Sequence, residues 1–245
     1  MLRQYRDGGY IVVRGLVSED LLVDADHEID RVSARPTRPN EGDGGPGVNT
    51  WFLPPATLPA ANAALRPSSV LEVAQELVAP NRLDLAFDHI QISTTTAPWS
   101  HVPGGPHIDG HWPAEPRGSF TLLAGILLTD QTQTQSGNLW VWPGSHLAHS
   151  ALFRERGVDA LVASAGHSTW PDKLLDLAAA EPILGRRGDV LLAHYLLGHN
   201  KGGNTQTFDR RTLYYRLATP EHRQHWHETF LNPWTEYPPL HLLPS

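Results

Sequence analysis

Prolines and glycines punctuate this chain along its whole length, 21 of each in 245 residues. Both interrupt helices and favour turns, so short strands joined by turns and irregular loops are the expected plan, with rather little helix. At this length a single all-β or mixed barrel is common. No internal repeat or linker divides the sequence, so one domain over residues 1–245 is expected. Apolar residues make up 40% and charged residues 18%, the balance of a folded soluble domain able to bury a sizeable core.

Local patterns sort the segments. A short β-rich stretch, Tyr10 to Val13, is bounded by glycines, and a helix follows. Ser18 can cap that helix, Glu19 and Asp20 suit its first turn, and Leu22, Ala25, Ile29 and Val32 recur at helical spacing until Pro36. Residues 36–67, rich in Pro, Gly and Asn, read as a long loop or lid. Ser69 with Glu72 is a capping box for a second helix that Pro80 stops. From residue 83 the period changes to alternation: His89, Gln91 and Ser93 share a face opposite Ile90 and Ile92. A strand with one polar inner face suits a barrel that holds a polar ligand. Further strands are expected at 119–128, 137–142, 189–197 and 210–218, with residues 147–180 mostly helical, which gives a barrel core of about 83–218.

Charge and cysteine content narrow the chemistry. A net charge of −7 with no basic run argues against nucleic acid and anionic membrane surfaces as partners. There is no cysteine, so disulfides, thiolate metal sites and Cys nucleophiles are excluded, and His and carboxylates are left as the strong metal ligands. No apolar run of membrane length and no leader is seen, so a soluble cytoplasmic protein acting on a small-molecule substrate is expected; the oligomeric state is left open.

The strongest chemical pattern is His107-Ile108-Asp109. Two residues apart on an extended segment, the imidazole and the carboxylate point to one side and can converge on one metal ion. Alone, His-x-Asp is a weak motif. A second His far along the chain strengthens it, and His194 and His199 compete for that place. On one continuous strand, alternation puts His199 on the face of 191, 193, 195 and 197 and turns His194 the other way, as a hydrogen-bonded core residue. Two His and one carboxylate with open positions form the site of non-heme iron(II) oxygenases. His101 and His111 flank the motif; pairing His107 with His111 would need a helix, which Gly110 and Pro113 oppose.

Arg210 and Arg211 point to opposite faces of their strand, so one of them can enter the barrel. A buried guanidinium beside an iron ligand calls for a carboxylate, which a dicarboxylate co-substrate supplies while its keto-acid end chelates the metal. Gln91, Ser93 and Asn138 are candidates for hydrogen bonds to co-substrate or substrate, and Trp51, Trp112 and Trp140 for an apolar substrate wall or for core packing.

These motifs together, with the run from Ser136 to His146 and the run from Gly188 to His199 followed by Asn204 and Arg210, resemble the phytanoyl-CoA dioxygenase family of iron(II)- and 2-oxoglutarate-dependent oxygenases. The likeness reaches from the opening strand and helix over nearly the whole chain. It implies a mainly β fold with flanking helices, a double-stranded β-helix of the cupin-like jelly-roll type. It implies Fe(II) as metal and 2-oxoglutarate as co-substrate, with His107, Asp109 and His199 as iron ligands and Arg210 on the far carboxylate of 2-oxoglutarate. The activity it implies is hydroxylation of a C–H bond with release of succinate and CO2. Asp109 agrees, because halogenating relatives carry a small residue there. The chain departs from the family in Ile108 where Gln is frequent, in Gly110-His111, and in lacking a Trp near Gly125 and Ile126. No Lys/Arg cluster is present to hold an acyl-CoA ester, and a small secondary metabolite is an equal alternative. The competing readings are a non-catalytic metal-binding jelly-roll protein and a zinc hydrolase; the second lacks a general base near the triad.

Overall fold

A computed structural model of the protein describes residues 1–34, 47–66, 69–85, 87–109, 119–160, 162–164, 167–169, 175 and 177–243. Among these, the strands form two six-stranded sheets. The first holds β1 (Tyr10–Val13), β2 (Val48–Leu53), β3 (Ile90–Thr95), β5 (Leu122–Leu127), β10 (Val190–His194) and β12 (Arg210–Leu217), in the order β1-β10-β5-β12-β3-β2. The second holds β4 (His107–Asp109), β6 (Leu139–Val141), β7 (Val162–Ser164), β8 (His167–Thr169), β9 (Glu181–Pro182) and β11 (His199–Lys201), in the order β7-β8-β4-β11-β6-β9. Neighbours pair antiparallel throughout. From β3 to β6 and again from β10 to β12, successive strands alternate between the sheets, which makes the fold a double-stranded β-helix, the cupin-like jelly roll.

The first sheet separates two environments. Ile90, Ile92, Leu122, Ala124, Ile126, Val190, Leu192, Leu213, Tyr215 and Leu217 pack outward against the helices α2 (Glu19–Ser33), α3 (Pro59–Leu65) and α4 (Ser69–Val78). Each Leu or Ile so buried contributes about 1.5–3 kcal/mol relative to exposure. Residues on the opposite face of the same strands, among them Ser93, Leu123, Leu191, Thr212 and Tyr214, are buried on the inner side. Strand β5 is covered on both faces, which explains its unbroken apolar sequence.

Several expectations need correction. The presumed loop at 36–67 contains edge strand β2 and helix α3; residues 35–46 and 67 lie outside the described residues. Pro59 opens α3, and Ala61, Ala64 and Leu65 give it a fully buried stripe too small in side-chain volume to stand out by hydropathy. Among the described residues of 147–180, the α-helix does not extend past Arg156. Helix α5 (Ser145–Arg156) ends at Gly157, whose φ of 83° suits glycine, and strands β7 and β8 follow. At the start of the chain, helix α1 (Leu2–Gly8) precedes the expected strand. In the tail, α6 (His222–Leu231) and α7 (Pro238–His241) bury Phe230 and Leu240. No helix among the described residues is long and apolar enough to cross a membrane.

Candidate metal and co-substrate site

Strand β4 supplies His107 and Asp109 from one face, and Ile108 turns the other way into apolar packing with no exposure. His199 arrives by a route the alternation argument did not foresee. Strand β10 stops at His194, the chain turns, with Leu197 N–H donating to His194 O at 2.9 Å, and it crosses to the second sheet. There His199 pairs directly with His107 on one side and with Val141 on the other. Gly198 makes the crossing possible, because a Cβ on it would stand 2.9 Å from Pro106 Cβ. His194 stays in the core: Leu196 N–H donates to its Nδ1 at 3.0 Å, so its Nε2–H donates to Pro233 O at 2.8 Å.

The donor atoms of His107, Asp109 and His199 all lie within 4.8 Å of one another. Asp109 Oδ1 is 3.5 Å from His107 Nε2 and 3.4 Å from His199 Nε2. Adjacent ligands about 2.1 Å from one ion stand about 3 Å apart, so around a cation the two contacts of Asp109 Oδ1 with the histidines would shorten by about half an ångström. His199 Nδ1–H donates to Leu197 O at 3.0 Å, so Nε2 is the nitrogen that faces Asp109 and that would ligate a metal on giving up its proton. Burial would raise the Asp109 carboxyl, but Arg216, the His199 charge and hydrogen bonds from both histidines outweigh it and hold Asp109 well below the usual carboxylate range. Burial would lower His199, and the Asp109 charge and hydrogen bond raise it instead. The carboxylate is therefore ionised and ready to ligate at neutral pH.

Arg210 enters from β12, 3% exposed, while Arg211 faces outward to Asp26 and Asp30. The Arg210 guanidinium donates to Ser93 Oγ at 2.9 Å, to Gln131 Oε1 at 3.5 Å and to Tyr214 Oη at 2.6 Å. Those partners are neutral, and among the described residues no carboxylate pairs with it. A buried cation with neutral partners is a ready seat for an anion. The fork reaches four residues along its own strand to Tyr214, so it leans toward the β12 end that carries Arg216 and, through it, Asp109. Gly125 makes room for Tyr214. A Cβ on Gly125 would meet the Tyr214 ring at 2.8 Å, so the position lacking a Trp is where Tyr214 lies.

The remaining sequence candidates divide. Ser93 is part of the Arg210 seat. Gln91 stands on the same inner face, in register with Tyr214 and Phe52. Asn138 is tied into the scaffold: its Nδ2 donates to Gln131 O and Ile183 O, and its Oδ1 accepts from Ser136 N–H. Trp51 packs with the helix-side core, not the interior, because it lies in register with Ile92. Trp140 is half-buried against Gly202, and Trp112 and His111 lie outside the described residues. Sequence reasoning missed Gln131, Tyr214 and Arg216. Alternation from Arg210 through Thr212 and Tyr214 to Arg216 was the available signal for the last two.

A jelly roll that brings two His and one carboxylate onto one face, beside a buried arginine, has the donor set that could hold a metal ion in the two-His-one-carboxylate manner. The chain belongs to the phytanoyl-CoA dioxygenase family (PhyH), whose pattern it matches over residues 5–212. No curated protein sequence matches it. Among solved structures it is similar to the epimerase SnoN in complex with Fe3+, alpha ketoglutarate and nogalamycin RO, at 19% identity and a TM-score of 0.66, covering 89% of this chain and 82% of that one. It is similar to HygX from Streptomyces hygroscopicus with nickel, 2-oxoglutarate and hygromycin B bound, at 19% identity and a TM-score of 0.60, covering 89% and 86%. The carbocyclase SnoK from nogalamycin biosynthesis has 20% identity and a TM-score of 0.60, with coverage of 88% and 81%. At such identities the likeness speaks for the fold.

Proposed function

We propose that the protein is an iron(II)- and 2-oxoglutarate-dependent dioxygenase that hydroxylates a C–H bond of a small organic substrate, with release of succinate and CO2. His107, Asp109 and His199 are the metal ligands of this reading, and Arg210 takes the far carboxylate of 2-oxoglutarate with Ser93 and Tyr214 beside it. The observation that carries the reading is the pairing of a two-His-one-carboxylate cluster with a buried guanidinium that has only neutral partners among the described residues. Neither half calls for the other on structural grounds, and one chelating dicarboxylate satisfies both. Bound there, iron(II) with 2-oxoglutarate would supply the electrons that activate O2 for attack on the substrate. The chain's residues hold the donors in one geometry and orient the co-substrate by its far end, and Phe52 and Phe120 lie against Arg216, the partner of Asp109. Burial and the Asp109 charge push the Tyr195 phenol well up, so it stays a protonated donor at neutral pH. Family membership supports the oxygenase class, and neighbours named for nogalamycin and hygromycin B support a secondary metabolite as substrate.

The test is anaerobic addition of Fe(II) and 2-oxoglutarate to the metal-free protein. A weak visible charge-transfer band, absent in His199→Ala, is expected, followed by succinate formation on exposure to O2. Iron binding without the band would sink the co-substrate assignment and favour a metal-holding binding protein.

A further inference from the structure

The two oxygens of Asp109 face different partners. Oδ1 lies toward His107 Nε2 and His199 Nε2, at 3.5 and 3.4 Å, whereas Oδ2 accepts a hydrogen bond from Arg216 Nη2 at 2.5 Å. Carboxylates bind cations through one oxygen or through both. Here one of the two is already engaged by the protein. The arginine is itself fixed, with its guanidinium carbon 5.6 Å from the Phe52 ring centroid and 5.7 Å from that of Phe120. Its side chain is 15% exposed, and Nη1 is buried with no hydrogen-bond partner. A planar fork held between two rings has little freedom to release the carboxylate.

We propose that Arg216 is a positioning residue that restricts Asp109 to ligation through one oxygen, and so preserves a coordination position for the co-substrate and O2. The inference rests on the oxygenase reading above and deepens it. In a six-coordinate site three protein donors leave three positions, of which chelated 2-oxoglutarate takes two and O2 one. A second Asp109 oxygen on the metal would close one of them. Tight metal binding alone does not account for Arg216, because a guanidinium against the ligand carboxylate opposes a divalent cation. Orienting the carboxylate does account for it. The two effects separate on loss of the arginine: metal affinity holds or rises, and co-substrate affinity falls.

Cobalt(II), which does not turn over with O2 in this site and reports coordination by its visible spectrum, is the probe. Arg216→Met keeps the stem between the rings without the fork, and Arg216→Lys restores one donor. Co(II) binding is measured by titration, then 2-oxoglutarate binding to the Co(II)-loaded protein by the change in that spectrum. Arg216→Met is expected to bind Co(II) at least as tightly as the parent and 2-oxoglutarate at least tenfold more weakly, with Arg216→Lys in between. Unchanged 2-oxoglutarate affinity in Arg216→Met, or parallel losses of both ligands without rescue by Lys, overturns the proposal. Should Arg216→Met fail to fold, Phe52→Leu loosens the fork and should show the same separation in smaller measure; equal losses there overturn the proposal too. A parent protein that binds Co(II) but never 2-oxoglutarate overturns the oxygenase reading itself, which is a different result from any of these.

Discussion

Gly137 lies so close to Arg210 that a methyl group on it would stand 2.6 Å from the arginine's Cβ. Its φ of 74° is in the left-handed region, and its N–H donates to Gly203 O at 2.9 Å. Gly137→Ala therefore meets both backbone strain and overpacking, about 1–3 kcal/mol by either route. Denaturant unfolding should show that loss, and 2-oxoglutarate affinity should drop with it as the Arg210 stem is displaced. A destabilised variant with unchanged 2-oxoglutarate affinity would separate Arg210 from the co-substrate.

Removing a donor from the cluster should be felt in metal binding before anything else. For His107→Ala and His199→Ala, Ni(II) titration is expected to show at least a hundredfold weaker binding while the far-UV circular dichroism of the metal-free chain stays the same. Retained Ni(II) affinity in either variant would remove that residue from the ligand set.

Arg210→Met should divide the two ligands in another way. A hydrogen-bonded charge pair contributes about 1.5–3 kcal/mol, so 2-oxoglutarate should bind roughly 10- to 150-fold more weakly, with iron affinity unchanged. Calorimetric titration of each ligand in turn reads both numbers; equal 2-oxoglutarate affinity would place the far carboxylate elsewhere.

Three histidines predict a pH dependence of folding. Burial, the largest influence on each, holds His146 down at about 4 and His149 and His194 at about 3, against an ordinary value of 6.5. They stay neutral in the fold while the unfolded chain takes up protons below 6.5, so stability is complete above that pH and falls as pH drops toward the folded values. Each contributes a slope of up to about 1.4 kcal/mol per pH unit. Urea unfolding between pH 7.5 and 5 should show the decline, and His194→Gln, which can keep a donor for Pro233 O, should make it shallower. A flat profile would contradict the neutral state of these rings.

Legibility followed the range of the interactions. Helix α2 was readable because Ser18, the acidic first turn and Leu22, Ala25, Ile29 and Val32 all act within a few residues. The inward turn of Arg210 and the outward turn of Arg211 followed from the strand period alone. His199 could be picked from its surroundings, yet its true position, opposite His107 in a second sheet, depends on a chain crossing that no local pattern marks. The backbone partners of Asn138, Gln131 O and Ile183 O, were not legible, because a buried amide can serve ligand and backbone alike and its neighbours lie far along the chain. Arg216 was within reach of the same alternation that placed Arg210, but its value comes from Asp109, 107 residues earlier, and from rings that β2 and the segment just before β5 bring to it.

Strand β12 belongs to one sheet and β4 to the other, so the contact between Arg216 and Asp109 is a rivet through the middle of the sandwich. Its effect is mechanical. With the sheets pinned at that point, Asp109 Oδ1 is delivered at a set height before any ion arrives, and loading the site asks its two contacts with the histidines to shorten by about half an ångström instead of drawing two layers together.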